Sequence, residues 1–241
     1  MTVPVPGAPV QLIVFDLMGT LIKGDGIVGR AYDAALRSAG LTEGTDEFAA
    51  HRAQINSLRG RPTLVVLTEV LGDPVLAEEA SWTFDDSVLA DVPTMVPVDG
   101  AGELLNALDE RQILTAVTTS FTPDVRRKVL GHLGWSDRFA ATLSAYGVRR
   151  GHPAPDLLLE AILELGIDSV AQVAIAGDSA SDLEAGNRAG AGLIVGVRSG
   201  GAPEQSLLAA PHTHLVDSVA SLLEVLDSPR NVGHRRTADR G

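Results

Sequence analysis

The stretch Val10-Gln11-Leu12-Ile13-Val14-Phe15-Asp16-Leu17-Met18-Gly19-Thr20 decides how the rest of the chain is read. Residues 10–15 are apolar almost throughout, with Pro9 before them and Asp16 and Gly19 after them. A short continuous apolar run between turn signals reads as a strand buried on both faces, as in a parallel sheet. Similar runs recur at Ile113–Val117, Val173–Ile175 and Leu193–Val197. Between them, helical spacing of apolar residues predicts helices over Gly102–Asp109, Pro123–Leu133, Pro155–Leu165 and Ser181–Ala189. Strand alternating with helix is the pattern of right-handed βαβ units, so the expected fold class is α/β with a parallel sheet.

The alternation breaks between Gly24 and Val92. Ala31–Ala39, Asp46–Ser57, Thr63–Leu71 and Leu76–Leu89 all read as helices, punctuated by Gly40, Gly60–Pro62 and Gly72–Pro74. A block of helices after the first strand reads as an inserted helical cap, and Pro93, Pro97 and Gly100 mark the return to the sheet. The expected division is a core over 1–22 and 95–227, a cap over 23–94, and a frayed tail over 228–241.

Composition narrows the function. The 241 residues carry a formal net charge of −12. That balance argues against a nucleic-acid partner, which is held by clustered Lys and Arg. Aromatic residues make up only 4% of the chain, too few for a base-stacking platform. With no cysteine, disulfides, thiolate metal sites and a Cys nucleophile are excluded. No signal peptide is evident at the N-terminus, and no run approaches the ~18 apolar residues of a membrane span. No membrane partner and a cytoplasmic location are therefore expected.

In an open parallel sheet, ligands bind outside the carboxyl ends of the strands. The residues directly after the predicted strands are Asp16 to Thr20, Thr118-Thr119-Ser120, and Gly177 to Asp182. Asp16, Asp178 and Asp182 would then meet in one crevice with a cluster of hydroxyls. A lone strand-end aspartate is ordinarily a turn or cap residue, and Asp178 and Asp182 also suit the first turn of a helix. Three buried carboxylates together need a cation, and hard oxygen ligands of this kind suit Mg²⁺. Gly19 would allow a tight turn and close backbone approach to a ligand.

FDLMGTL (15–21), VTTSFTPDV (117–125), GHPAPDLLLEAI (151–162) and IAGDSASDLEAGNRAGAG (175–192) resemble, in order, the four motifs of the haloacid dehalogenase superfamily. Within it the chain is similar to the phosphonatase-like hydrolases with a helical C1-type cap. Their second motif also reads Thr-Thr plus a small residue. The resemblance implies a Rossmann-like core and a Mg²⁺-dependent hydrolase acting on a small, anionic, phosphorylated substrate. It further implies that Asp16 attacks phosphorus and forms a phosphoaspartyl intermediate. Mg²⁺ would be held by Asp16, Asp178 and the main-chain carbonyl of Met18, with Asp182 orienting the site. Thr118 would hydrogen-bond the transferring group, helped by N–H groups near Gly19 and Thr119, with Ser120 beside them.

Several positions depart from the family pattern. Phosphatases of the superfamily usually carry an aspartate where this chain has Met18, which cannot move a proton. Phosphonatases use a cap lysine for a Schiff base, but the comparable position here is about Thr63. The only lysines are Lys23, at the cap hinge, and Lys128, on a core helix. The third motif normally offers Lys or Arg where His152 stands. Either His152 or the nearby Arg149 and Arg150 would supply the charge, or His152 is only a turn residue. Arg59 and Arg61 are the cap's candidate anion binders, with surface solubility as the alternative. Besides phosphate-ester hydrolysis, the sequence leaves open phosphonate or carbon–halogen cleavage through the same aspartate, and ligand binding without turnover. It leaves the oligomeric state open.

Overall fold

The computed structural model describes residues 9–24, 26–146 and 150–228. Arg149 and residues 229–241 of the expected tail lie outside the described residues. Among those described, six strands form one parallel sheet in the order β3-β2-β1-β4-β5-β6. The strands are β1 (Leu12–Asp16), β2 (Leu114–Thr119), β3 (Ala141–Ser144), β4 (Val173–Gly177), β5 (Leu193–Val197) and β6 (His214–Val216).

Side-chain alternation divides the core into two clusters, one on each face of the sheet. Ile13, Phe15, Val117, Ala174, Ala176 and Val195 point to one side. Leu12, Val14, Ala116, Val173, Ile175 and Ile194 point to the other. Helices α7 (Asp156–Glu164), α8 (Ala180–Ala189) and α9 (Glu204–Ala209) cover the second face, while α5 (Ala101–Glu110), α6 (Pro123–His132) and α10 (Leu222–Asp227) cover the first. The α/β class is as the sequence predicts. β3 and β6, with four and three residues, are edge strands that the sequence pattern does not flag.

Between β1 and α5 lie four α-helices and no strand among the described residues: α1 (Ile27–Ser38), α2 (Asp46–Ser57), α3 (Thr63–Leu71) and α4 (Pro74–Asp91). α1 begins four residues earlier than its apolar spacing predicts. Its N-cap, Gly26, has a left-handed backbone and makes no side-chain cap bond, so no cap residue advertises the start. The entry and exit segments of this block lie side by side. Lys23 N–H donates to the Val96 carbonyl at 3.0 Å, and Val98 N–H to the Leu21 carbonyl at 2.8 Å. The first apolar cluster continues without a break from Phe15 and Phe121 into Tyr32, Phe84 and Leu67 of the helical block. Tyr32 and Phe84 ring centroids are 4.7 Å apart, and Phe84 and Phe121 are 6.5 Å apart. Among the described residues no helix is long and apolar enough to cross a membrane.

Candidate active site

Parallel pairing fixes the geometry of the crevice. Asp16 ends β1 in register with Thr118 on β2, and β4 pairs with β1 on its other side. The loops after β1, β2 and β4 therefore emerge together at the carboxyl edge of the sheet. Asp16, Asp178 and Asp182 each offer a carboxylate oxygen, and these atoms lie within 4.8 Å of one another. Asp178 and Asp182 are buried, at 3% and 1% exposure.

Each acid has distinct surroundings. Burial first, then the charges of Asp182 and Asp178, push the Asp16 carboxyl well above the usual carboxylate range. Burial likewise pushes Asp178 up to about 6, opposed by Arg59 and reinforced by Asp182. Asp178 Oδ2 accepts hydrogen bonds from Arg59 Nη2 at 2.8 Å and from Gly201 N–H at 3.0 Å. Asp182 closes a capping box on α8: its Oδ2 accepts from Ser179 N–H at 2.9 Å and from Ser179 Oγ at 2.7 Å. Its other oxygen, Oδ1, lies 2.7 Å from His152 Nδ1. The capping function of Asp182 and its place in the acid cluster thus coexist.

Two glycines admit this crowding. Gly19 has φ +89°, and an added Cβ would stand 2.4 Å from Asp178 Oδ2. Gly60, with φ +83°, brings the loop between α2 and α3 onto Ser179, where a Cβ would meet Oγ at 2.3 Å. Ser181 Oγ also donates to the Arg59 carbonyl at 2.9 Å, so the loop between α2 and α3 is seated on the β4–α8 turn.

A cavity of about 110 Å³ lies over the acids. Of the residues expected there, Asp16, Met18, Arg59, Arg61, Thr119, Ser120, His152, Asp178 and Asp182 line it. Gly19 packs against Asp178 beneath the wall. Thr118 is fully buried and does not line the cavity; its hydroxyl lies 3.4 Å from the Phe15 carbonyl, beside the strand end of Asp16. Arg61 is half-engaged elsewhere, paired with Glu69 at 3.2 Å.

The charge-compensation alternatives separate. Arg150 is exposed and pairs with Asp156 at 2.7 Å, away from the acid cluster. His152 lies in a turn and is 5% exposed; its Nδ1 meets Asp182, and its Nε2 is buried with no hydrogen-bond partner. The lysines stand apart from the acids. Lys23 Nζ pairs with Asp99 at 2.8 Å, and Lys23 does not line the cavity, so no lysine of the described residues stands in for a Schiff-base lysine. Sequence reasoning missed Tyr32, Arg52 and Asn56, which the helical block adds to the cavity wall, and Gly201, which donates to Asp178.

A parallel sheet with an acid after its first and fourth strands, a hydroxyl-bearing turn after its second and a helical block over the crevice defines a class of hydrolase. A family model described as haloacid dehalogenase-like hydrolase matches residues 10–190, and the chain belongs to that family. It is an enzyme of the phosphatase-like kind. It is 28% identical over 187 residues to validoxylamine A 7'-phosphate phosphatase of Streptomyces hygroscopicus subsp. limoneus, covering 75% of this chain and 82% of that one. It is 29% identical over 157 residues to phosphonoacetaldehyde hydrolase of Bordetella pertussis, covering 54% and 55% of the two chains. The crystal structure of a phosphonoacetaldehyde hydrolase-like protein from Oleispira antarctica shares the fold, with a TM-score of 0.80, 21% identity, and coverage of 94% of this chain and 95% of that one.

Proposed function

We propose that this chain is a Mg²⁺-dependent phosphohydrolase in which Asp16 attacks the phosphorus of a small phosphate monoester. The observation that carries the reading is the convergence of the partly buried Asp16 with the buried Asp178 and Asp182. Three carboxylates taken out of water together are strongly unfavourable unless a cation joins them. The donors are all hard oxygens, which fit Mg²⁺. Asp16, Asp178 and the Met18 carbonyl would hold the ion, with Asp182 orienting the site. Bound there, Mg²⁺ supplies the positive charge that lets a carboxylate approach a phosphoryl dianion.

An Asp16 oxygen forms a bond to phosphorus as the ester oxygen departs, and water then cleaves the aspartyl phosphate to regenerate Asp16. Thr119 and the N–H groups around Gly19 and Thr119 receive the phosphoryl oxygens, with Ser120 at the rim and the buried Thr118 supporting the strand end beneath them. His152 holds Asp182 in place through Nδ1. Residues 23–94 act as the cap over a core of 1–22 and 95–227, and Arg59 and Gly60 seat it over the crevice, excluding water. Relatives whose names record phosphatase activity support the reading.

The test is phosphate release from a panel of small phosphate esters, with Mg²⁺ and with EDTA. Release that needs Mg²⁺ and disappears in Asp16→Asn is expected. Full release in EDTA, or activity surviving in a clean Asp16→Asn preparation, would overturn the assignment.

A further inference from the structure

The cavity over Asp16 has a second end, formed entirely by the helical block. Val28, Gly29 and Tyr32 contribute one wall from α1, and Arg52, Ile55 and Asn56 the other from α2. Arg52 is the charged group at this end. Its Nε is ion-paired with Asp33 of α1, and the two side chains are 24% and 25% exposed. The contact is an ion pair without hydrogen-bond geometry, and among the described residues the terminal nitrogens of Arg52 take no partner. Nη2 lies over Gly29, where an added Cβ would come within 3.4 Å of it. The other two arginines on the cavity wall are engaged, Arg59 with Asp178 and Arg61 with Glu69.

A guanidinium on the wall of a small cavity, ion-paired at its Nε and with its terminal nitrogens without partners, matches a carboxylate in shape and charge. We infer that Arg52 receives a carboxylate at the far end of the substrate from the phosphoryl group, so that the substrates are phosphate monoesters of short hydroxy acids. The inference rests on the phosphohydrolase reading above. The fragment must be short because the cavity holds about 110 Å³. Typical ligand pockets measure roughly 300–1,000 Å³. Val28 and Ile55 flank the carbon chain, and Asn56, one helical turn beyond Arg52, offers its amide to the same end. An ester ending in a hydroxyl leaves the half-buried fork without a charged acceptor, and a site built for a polar group discriminates strongly against its absence.

The experiment compares kcat/KM for 2-phosphoglycolate and 2-hydroxyethyl phosphate in the wild type, Arg52→Gln and Arg52→Lys. The wild type should favour the acid by about 10- to 100-fold, carried mainly by KM, as one charged hydrogen-bonded contact allows. Arg52→Gln should lose that preference, and Arg52→Lys should keep part of it, because the charge remains while the fork is lost. Should Arg52→Gln fail to fold, calorimetric titration of Asp16→Asn with each ester reads the same preference as binding. No preference in the wild type, or a preference undiminished in Arg52→Gln, overturns the inference while phosphate release from either ester leaves the phosphohydrolase reading standing. No release from any ester by folded protein overturns both.

Discussion

Met18 lines the cavity two residues beyond Asp16, where a carboxyl group would be placed to protonate a leaving oxygen. General acid–base help is typically worth 10²–10⁴-fold. Met18→Asp should therefore raise kcat on generic phosphate esters by roughly tenfold or more. An unchanged kcat would mean that proton transfer does not limit turnover. At this scale the acid site was legible: Asp16, Asp178 and Asp182 each follow an apolar strand run, and strand ends converge in a parallel sheet. Thr118 was placed one layer too high, because the register that buries it against the Phe15 carbonyl is not readable from the run itself. Arg52 and Asn56 were not legible at all. A polar residue on a helix looks the same in sequence whether its side chain meets solvent or a cavity roofed by another helix.

Among the elements, α4 carries the most consequential single side chain. Phe84 is 1% exposed and stands between Tyr32 of α1 and Phe121 at the start of the β2–α6 connection. Truncating a buried Phe typically costs about 3–5 kcal/mol. Phe84→Ala should lower unfolding free energy by that order in denaturant titrations, and should loosen the helical block from the sheet as well as weaken its own helix. A loss below about 1 kcal/mol would mean that the aromatic bridge carries little of the packing. The long helices and central strands were readable from periodicity, because burial on both sheet faces leaves an unbroken apolar run. β3 and β6 were not, since edge strands of three or four residues with Thr, Ser and His among them lack that run.

For the whole molecule, the acid cluster links stability to pH and to cations. Asp16 and Asp178 bind their protons more tightly in the folded chain than in the unfolded one. Their contribution to stability is thus fully present below about pH 4 and is lost as pH rises through about 6 for Asp178. Without divalent cation, the difference in Tm between wild type and Asp178→Asn should shift in favour of the variant as pH rises from 4 to 7. Adding Mg²⁺ should raise the wild-type Tm at pH 7.5, and by less at pH 5, since protons and the ion compete for the same oxygens. Differential scanning calorimetry across that range checks both, and a Mg²⁺ effect independent of pH would contradict them.

The apolar cluster that runs unbroken from the sheet into the helical block has a thermal consequence. Any outward swing of α1–α4 uncovers part of it, and uncovering apolar surface raises heat capacity. The balance between covered and uncovered crevice then curves with temperature instead of following a straight van't Hoff line, and cooling weakens the hold as the hydrophobic contribution fades. How long Asp16 stays sheltered is therefore set by temperature as well as by what occupies the crevice.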